Sequence, residues 1–152
     1  MKSNWIYFDM DGVLAGLYDV SNWLTMLQSS DPTPYKAAKP LVNMNQLARK
    51  LNKLQRAGYK LGIISWLSKS STPTYDEAVT VAKKWWLKKH LASVHFDEIN
   101  IVSYGVNKWE VCGAGILFDD EDKNRDTWRG EAYHPDMMMD VLNKLMKGFD
   151  YE

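Results

Sequence analysis

One cysteine, three histidines and no surplus of either charge set the first limits on this 152-residue chain. A lone Cys112 excludes an internal disulfide, and three histidines with one cysteine make no cluster of zinc-site spacing. With 19 Lys+Arg against 19 Asp+Glu, the formal charge is zero. That balance argues against a protein whose main task is gripping nucleic-acid phosphates or an anionic membrane, both of which draw on a large excess of Lys and Arg. No uncharged apolar run approaches the ~18 residues that span a bilayer. The apolar N-terminal stretch is broken by Asp9 and Asp11, so it does not read as a signal peptide. Repeats, low-complexity blocks and long linkers are missing too. The expectation is a single domain over residues 1–152, cytoplasmic, with no membrane and no strong nucleic-acid binding. What the chain does have is 45% hydrophobic residues and a rich aromatic set, including 7 Trp and 8 Tyr. About 150 residues bury roughly 70% of the unfolded chain's surface, enough for one core without staples.

The run Trp5-Ile6-Tyr7-Phe8 is aromatic and β-branched, with Gly12 just beyond, and reads as a buried strand followed by a turn. From Leu41 to Ala57, apolar residues at Met44, Leu47, Leu51 and Leu54 recur between Lys and Arg, with Gly58 after them. This is an amphipathic helix and its stop. A strand is expected from Lys60 to Ser65. Thr74 can cap a following helix whose first turn holds Asp76 and Glu77, whose face is Ala78, Val81, Ala82, Trp85 and Trp86, and whose end holds Lys88, Lys89 and His90. Ile99 to Val102 and Gly115 to Phe118 read as further strands, and Pro135 opens a last helix with Met138, Val141, Leu142, Leu145 and Met146 on one face before Gly148. Strands alternating with helices of this length predict an α/β fold: a mostly parallel sheet covered on both faces, with ligands bound at the C-terminal ends of the strands. Residues 15–40 break the alternation. They offer a short helix near Val20 to Leu27 and then turn chemistry in Ser29-Ser30-Asp31-Pro32-Thr33-Pro34. A loop of that length suggests a lid or binding element.

The predicted strand ends carry the chemistry. Asp9 and Asp11, two apart in extended backbone, point to one side and converge on a small site. Two carboxylates that close repel each other unless a cation lies between them or one is protonated. A hard divalent ion suits them, and Mg²⁺ favours a few carboxylates plus waters and substrate phosphate oxygens. Asp119 and Asp120 end another strand and can complete the oxygen shell. Lys108, in Tyr104-Gly105-Val106-Asn107-Lys108, precedes that strand and can reach phosphate oxygens, while Ser65 ends the second strand with a hydroxyl and a backbone N–H. Taken singly, Ser65 fits strand-end hydrogen bonding equally well, Lys108 an ordinary surface lysine, and Asn124 and Arg125 a loop after the site. Cys112 reads as a small buried hydrophobe, and Trp85-Trp86 as core or helix surface. Tyr18, Trp23 and Trp66 lie near the predicted mouth, where an aromatic face can stack on a nucleobase; packing of the small lid is the competing role.

As an ordered set, Phe8-Asp9-Met10-Asp11-Gly12-Val13-Leu14, a strand ending at Ser65, Lys108, and Ile116-Leu117-Phe118-Asp119-Asp120 resemble the four motifs of the haloacid dehalogenase (HAD) superfamily of phosphohydrolases. Asp9-Met10-Asp11-Gly12-Val13-Leu14-Ala15 and Phe118-Asp119-Asp120 followed by Asn124 are most similar to the 5'(3')-deoxyribonucleotidase group and small phage or bacterial relatives. The resemblance spans Trp5 to about Trp128. It implies a three-layer Rossmann-like sheet with a very small helical cap at about residues 15–40, and a Mg²⁺-dependent phosphomonoester hydrolase. In it Asp9 is the nucleophile, forming an aspartyl-phosphate, and Asp11 the general acid and base. Ser65 and Lys108 bind phosphate, and Asp9, Asp11 (through its backbone carbonyl) and Asp119 hold the metal, with Asp120 either a ligand through water or an orienter of Lys108. The implied partner is a small phosphorylated substrate, first a nucleotide. Two other readings stay open. One is a phosphatase of nucleic-acid ends, prompted by the shortness of the lid. The other is a non-enzymatic receiver-like domain holding Mg²⁺ and phosphate, although receivers carry their phosphoacceptor at the end of a middle strand whereas Asp9 ends the first.

Overall fold

The computed structural model describes residues 4–150. Five strands, β1 (Trp5–Phe8), β2 (Lys60–Trp66), β3 (Glu98–Val102), β4 (Ile116–Phe118) and β5 (Ala132–Tyr133), form one all-parallel sheet in the order β3-β2-β1-β4-β5. The α/β expectation holds. β1 is buried at every position, as a central strand covered on both faces must be. Its side chains alternate between two cores. Ile6 and Phe8 pack with Leu47, Leu51 and Leu54 of α3 (Met44–Arg56) and with Met138, Val141 and Leu142 of α7 (Met138–Asp150). Trp5 and Tyr7 point the other way, into a cluster with Ile64, Cys112, Leu117 and Trp128. Cys112 is buried there, as the sequence suggests for a small apolar side chain.

Element boundaries shift where capping chemistry overrides periodicity. The helix expected from Leu41 starts at Met44, because the Asn43 side chain accepts the Gln46 N–H at 3.0 Å. The next helix, α4 (Pro73–His90), is capped by Thr72, not Thr74; the Thr72 hydroxyl accepts the Tyr75 N–H at 3.2 Å, and Pro73 takes the first helical position. Its buried face is Tyr75, Val79, Ala82, Lys83, Trp86 and Leu87. Of the face expected from the sequence, Ala82 and Trp86 are inside, while Val81 and Trp85 are 57% and 40% exposed. The last helix runs on through Gly148. Short elements escaped sequence reading, among them α5 (Lys108–Cys112), α6 (Asp122–Thr127), β5 and the helix Thr33–Ala37, which begins within the expected turn segment. None is long enough to show a period.

Residues 15–40 hold a 3-10 turn (Leu17–Asp19), α1 (Trp23–Gln28) and α2 (Thr33–Ala37). Gly16 N–H donates to the Lys39 carbonyl at 2.8 Å, and Leu41 N–H to that of Leu14 at 2.9 Å, so the segment closes at its base. Its top is tied to α4 by Trp86 Nε1–H on the Ala38 carbonyl (2.7 Å) and by the Tyr75 hydroxyl on the Asp31 carbonyl (3.0 Å). Leu17, Leu27 and Tyr35 pack with Leu67, Tyr75, Val79 and Ala82 in a third apolar cluster. Among the described residues, no helix is long and apolar enough to cross a membrane.

Candidate active site

The strand order fixes where a site can form. From β1 the chain steps outward to β2 and β3, then returns to place β4 on the opposite side of β1. The crevice beyond the carboxyl ends of β1 and β4 is therefore the topological switch point, the position at which open parallel sheets bind ligands. Asp9 follows β1, and Asp119 and Asp120 follow β4. The backbone joins them, since Asp9 N–H donates to the Phe118 carbonyl at 3.0 Å.

Carboxylate oxygens of Asp9, Asp119 and Asp120 lie within 4.8 Å of one another. Lys108, at the first position of α5, reaches into this group: its Nζ is 2.6 Å from Asp119 Oδ2 and 3.4 Å from Asp9 Oδ1. Asp119 also accepts the Glu121 N–H (2.9 Å) and the Asn124 side-chain amide (3.2 Å), and Arg125 Nη1 donates to its carbonyl (2.9 Å). Asn124 and Arg125 thus support the site instead of forming a mere exit loop. Asp120 comes close because Gly12 lacks a side chain: a Cβ there would overlap the Asp120 carboxylate, and its φ of +82° favours glycine independently.

The electrostatics follow from burial. Desolvation pushes the Asp9 carboxyl above its ordinary range; Lys108 opposes the shift and Asp11 adds to it. Asp119 is raised by burial and by the Asp9 charge, against Lys108. Asp120 is pushed up to about 7, by burial first and then by its two carboxylate neighbours. Burial alone would lower Lys108, but the charges of Asp9 and Asp119 outweigh it and raise its pKa. Asp120 Oδ1 is buried without a hydrogen-bond partner. An unpartnered carboxylate oxygen amid three convergent acids is a poor arrangement for the protein alone and a fitting one for a hard cation with oxygen ligands.

Asp11 stands apart from this trio. Its Oδ2 is 3.0 Å from Nζ of Lys83, a residue of α4 that is 1% exposed. The same ammonium donates to Ser65 Oγ (2.6 Å) and to the Trp66 carbonyl (2.7 Å). Ser65 is thereby placed beside Asp11, fully buried, beneath the cavity and not in its wall.

That cavity, about 420 Å³, opens over Asp9, Asp11 and Lys108. Tyr18, Trp23 and Trp66 all line it, and so do Tyr35 and Tyr104. Tyr18 meets Trp23 edge to face at 5.0 Å. Trp66 is fixed by Nε1–H on the Val106 carbonyl (2.9 Å), with Tyr104 at 4.9 Å and the Lys108 ammonium 5.2 Å from its ring centre. Lys83 and Tyr104 were missed from the sequence. For Lys83 a signal existed: it falls at the centre of the stripe Tyr75, Val79, Ala82, Trp86, where a charge is out of place unless it is paired.

No protein-family profile matches the chain, and no curated protein matches it in sequence. Solved structures do match in shape. A protein of Mesorhizobium loti named a HAD-like phosphatase superposes with a TM-score of 0.57 at 12% identity, over 95% of this chain and 87% of that one. A hydrolase from Streptococcus pneumoniae gives 0.54 at 10% identity, over 94% and 100%. The D,D-heptose 1,7-bisphosphate phosphatase of Burkholderia thailandensis gives 0.50 at 13% identity, over 92% and 99%. The fold is that of the HAD-like phosphatases.

Proposed function

We propose that the protein is a Mg²⁺-dependent phosphomonoester hydrolase acting through an aspartyl-phosphate on Asp9, with nucleoside 5'-monophosphates, deoxyribonucleotides among them, as its first substrate class. The observation that carries this reading is that Asp9, Asp11 and Lys108 face one cavity directly above the three-carboxylate group at the switch point.

Each residue has a role its surroundings support. Asp9 Oδ1 accepts the Met10 N–H (2.8 Å) and lies near Lys108, which leaves Oδ2 to attack phosphorus. The new Asp9–phosphorus bond forms as the bond to the leaving oxygen breaks, and Asp11 gives that oxygen a proton. Asp11 then takes a proton from the water that hydrolyses the acyl phosphate. Four carboxylates against the two ammoniums of Lys83 and Lys108 leave an imbalance of two negative charges when all are ionised. Asp9, Asp119 and Asp120 would hold a Mg²⁺ ion, whose charge offsets that imbalance and the repulsion between carboxylate and phosphate. Lys108 contributes a fixed positive charge beside the attacked group.

The aromatic wall supports a leaving group with a flat ring, and about 420 Å³ suits a small molecule. That size ranks a nucleic-acid end below a mononucleotide. β1 is first in the chain yet central in the sheet, so strand position does not argue against the receiver reading; the second carboxylate, Asp11, does. The test is phosphate release from nucleotides, sugar phosphates and phosphorylated oligonucleotides with Mg²⁺ or EDTA. Activity on a nucleotide that is lost with EDTA and in Asp9→Asn supports the proposal. Silence across the panel, or an Asp9→Asn variant as active as the parent, overturns it.

A further inference from the structure

Lys83 is the one charged side chain on the buried face of α4. Removing an ammonium from water is costly unless charge and hydrogen bonds replace the hydration. Here they do. A lysine ammonium has three N–H donors, and Lys83 has three acceptors within hydrogen-bond distance: Asp11 Oδ2, Ser65 Oγ and the Trp66 carbonyl. The Tyr35 ring from α2 lies 5.2 Å away and covers the cation from the side of residues 15–40. With every donor committed, no N–H is left over for a phosphate oxygen.

From this we infer that Lys83 is a positioning residue for the general acid: it fixes the Asp11 carboxylate by one oxygen so that the other faces the leaving group. The inference rests on the phosphatase reading and adds a residue to it. Holding Asp11 Oδ2 leaves Oδ1 to carry the proton that the departing alkoxide takes. Accepting from Lys83 makes Ser65 an acceptor on that side, so the Ser65 hydroxyl proton is turned away from Lys83.

A leaving-group comparison separates this role from a merely structural one. General acid catalysis is worth ~10²–10⁴-fold for a poor leaving group and little for one that departs unprotonated. Lys83→Met is therefore expected to lower kcat/KM for an alkyl phosphate by roughly 10²-fold and for 4-nitrophenyl phosphate by no more than about threefold. Asp11→Asn should show the same pattern. An equal loss on both esters, or none on either, overturns the inference. Should Lys83→Met fail to fold, Lys83→Arg keeps the cation but not its tetrahedral set of donors, and is read by the same ratio of losses. If the parent hydrolyses neither these esters nor any nucleotide, the phosphatase reading itself falls; if it hydrolyses them and the variants lose activity uniformly, only the role of Lys83 falls.

Discussion

Lys108 Nζ lies 2.6 Å from Asp119 Oδ2, and neither side chain is more than 2% exposed. A pair buried that deeply adds little over an apolar replacement, but breaking it strands a charge, at ~3–5 kcal/mol. Lys108→Met should lose about that much in a denaturant titration. Adding Asp119→Asn should recover part of the loss, because the orphaned carboxylate is then gone. Equal stability of the Lys108→Met variant and the parent would show that the pair is not formed in solution.

Gly12 sets how closely Asp120 can approach Asp9. Alanine there meets two penalties, a φ of +82° and a Cβ overlapping the Asp120 carboxylate. Gly12→Ala should destabilise by ~1–3 kcal/mol and abolish the thermal stabilisation that Mg²⁺ gives the parent. Melting curves with and without MgCl₂ check both. A variant that still gains the parent's full increment from Mg²⁺ would mean Asp120 does not serve the ion.

The acidic trio gives metal binding a pH dependence of definite sign. Asp9, Asp119 and Asp120 all titrate above the ordinary carboxylate value, Asp120 near 7. The folded chain therefore holds more protons than the unfolded one between about pH 4 and 7. The stability these groups contribute is full below the unfolded value and is lost as pH rises through the folded one. Mg²⁺ competes with the same protons, so the rise in Tm on adding it should be larger at pH 8 than at pH 5. A rise that is flat or shrinks over that range would place the ion elsewhere.

How much of this was legible in the chain differs by element. β1, β2 and α3 were readable because period and flanking turns agree, and Asp9 and Asp11 because two acids directly after an apolar strand are out of place on a surface. α4 was harder: Lys83 occupies a core position and Trp85 a surface one, so hydropathy rotates the apparent face away from the buried one. Lys83 thus dropped out of the site although it touches both Asp11 and Ser65. Tyr104 and Asn124 depend on loops and one-turn helices whose placement is tertiary. Asn124 lines the cavity and donates to Asp119, a contact that no local pattern encodes.

Trp66 offers the sharpest test of substrate class. Its indole is locked by the Val106 carbonyl and flanked by Tyr104, so its face toward the cavity is set before any ligand arrives. Stacking a base on such a face is worth ~1–3 kcal/mol, which is roughly 5- to 150-fold in binding. Trp66→Leu should raise KM for nucleoside monophosphates by that factor. A substrate with no ring, glycerol phosphate for example, should be affected within about twofold, because the stacking term is then missing from both enzymes. Trp66 also covers the Lys108 ammonium, so a loss of phosphate binding would raise KM for both substrates alike. A uniform rise would therefore make Trp66 a cover for Lys108, and a rise confined to nucleotides would make it the base platform.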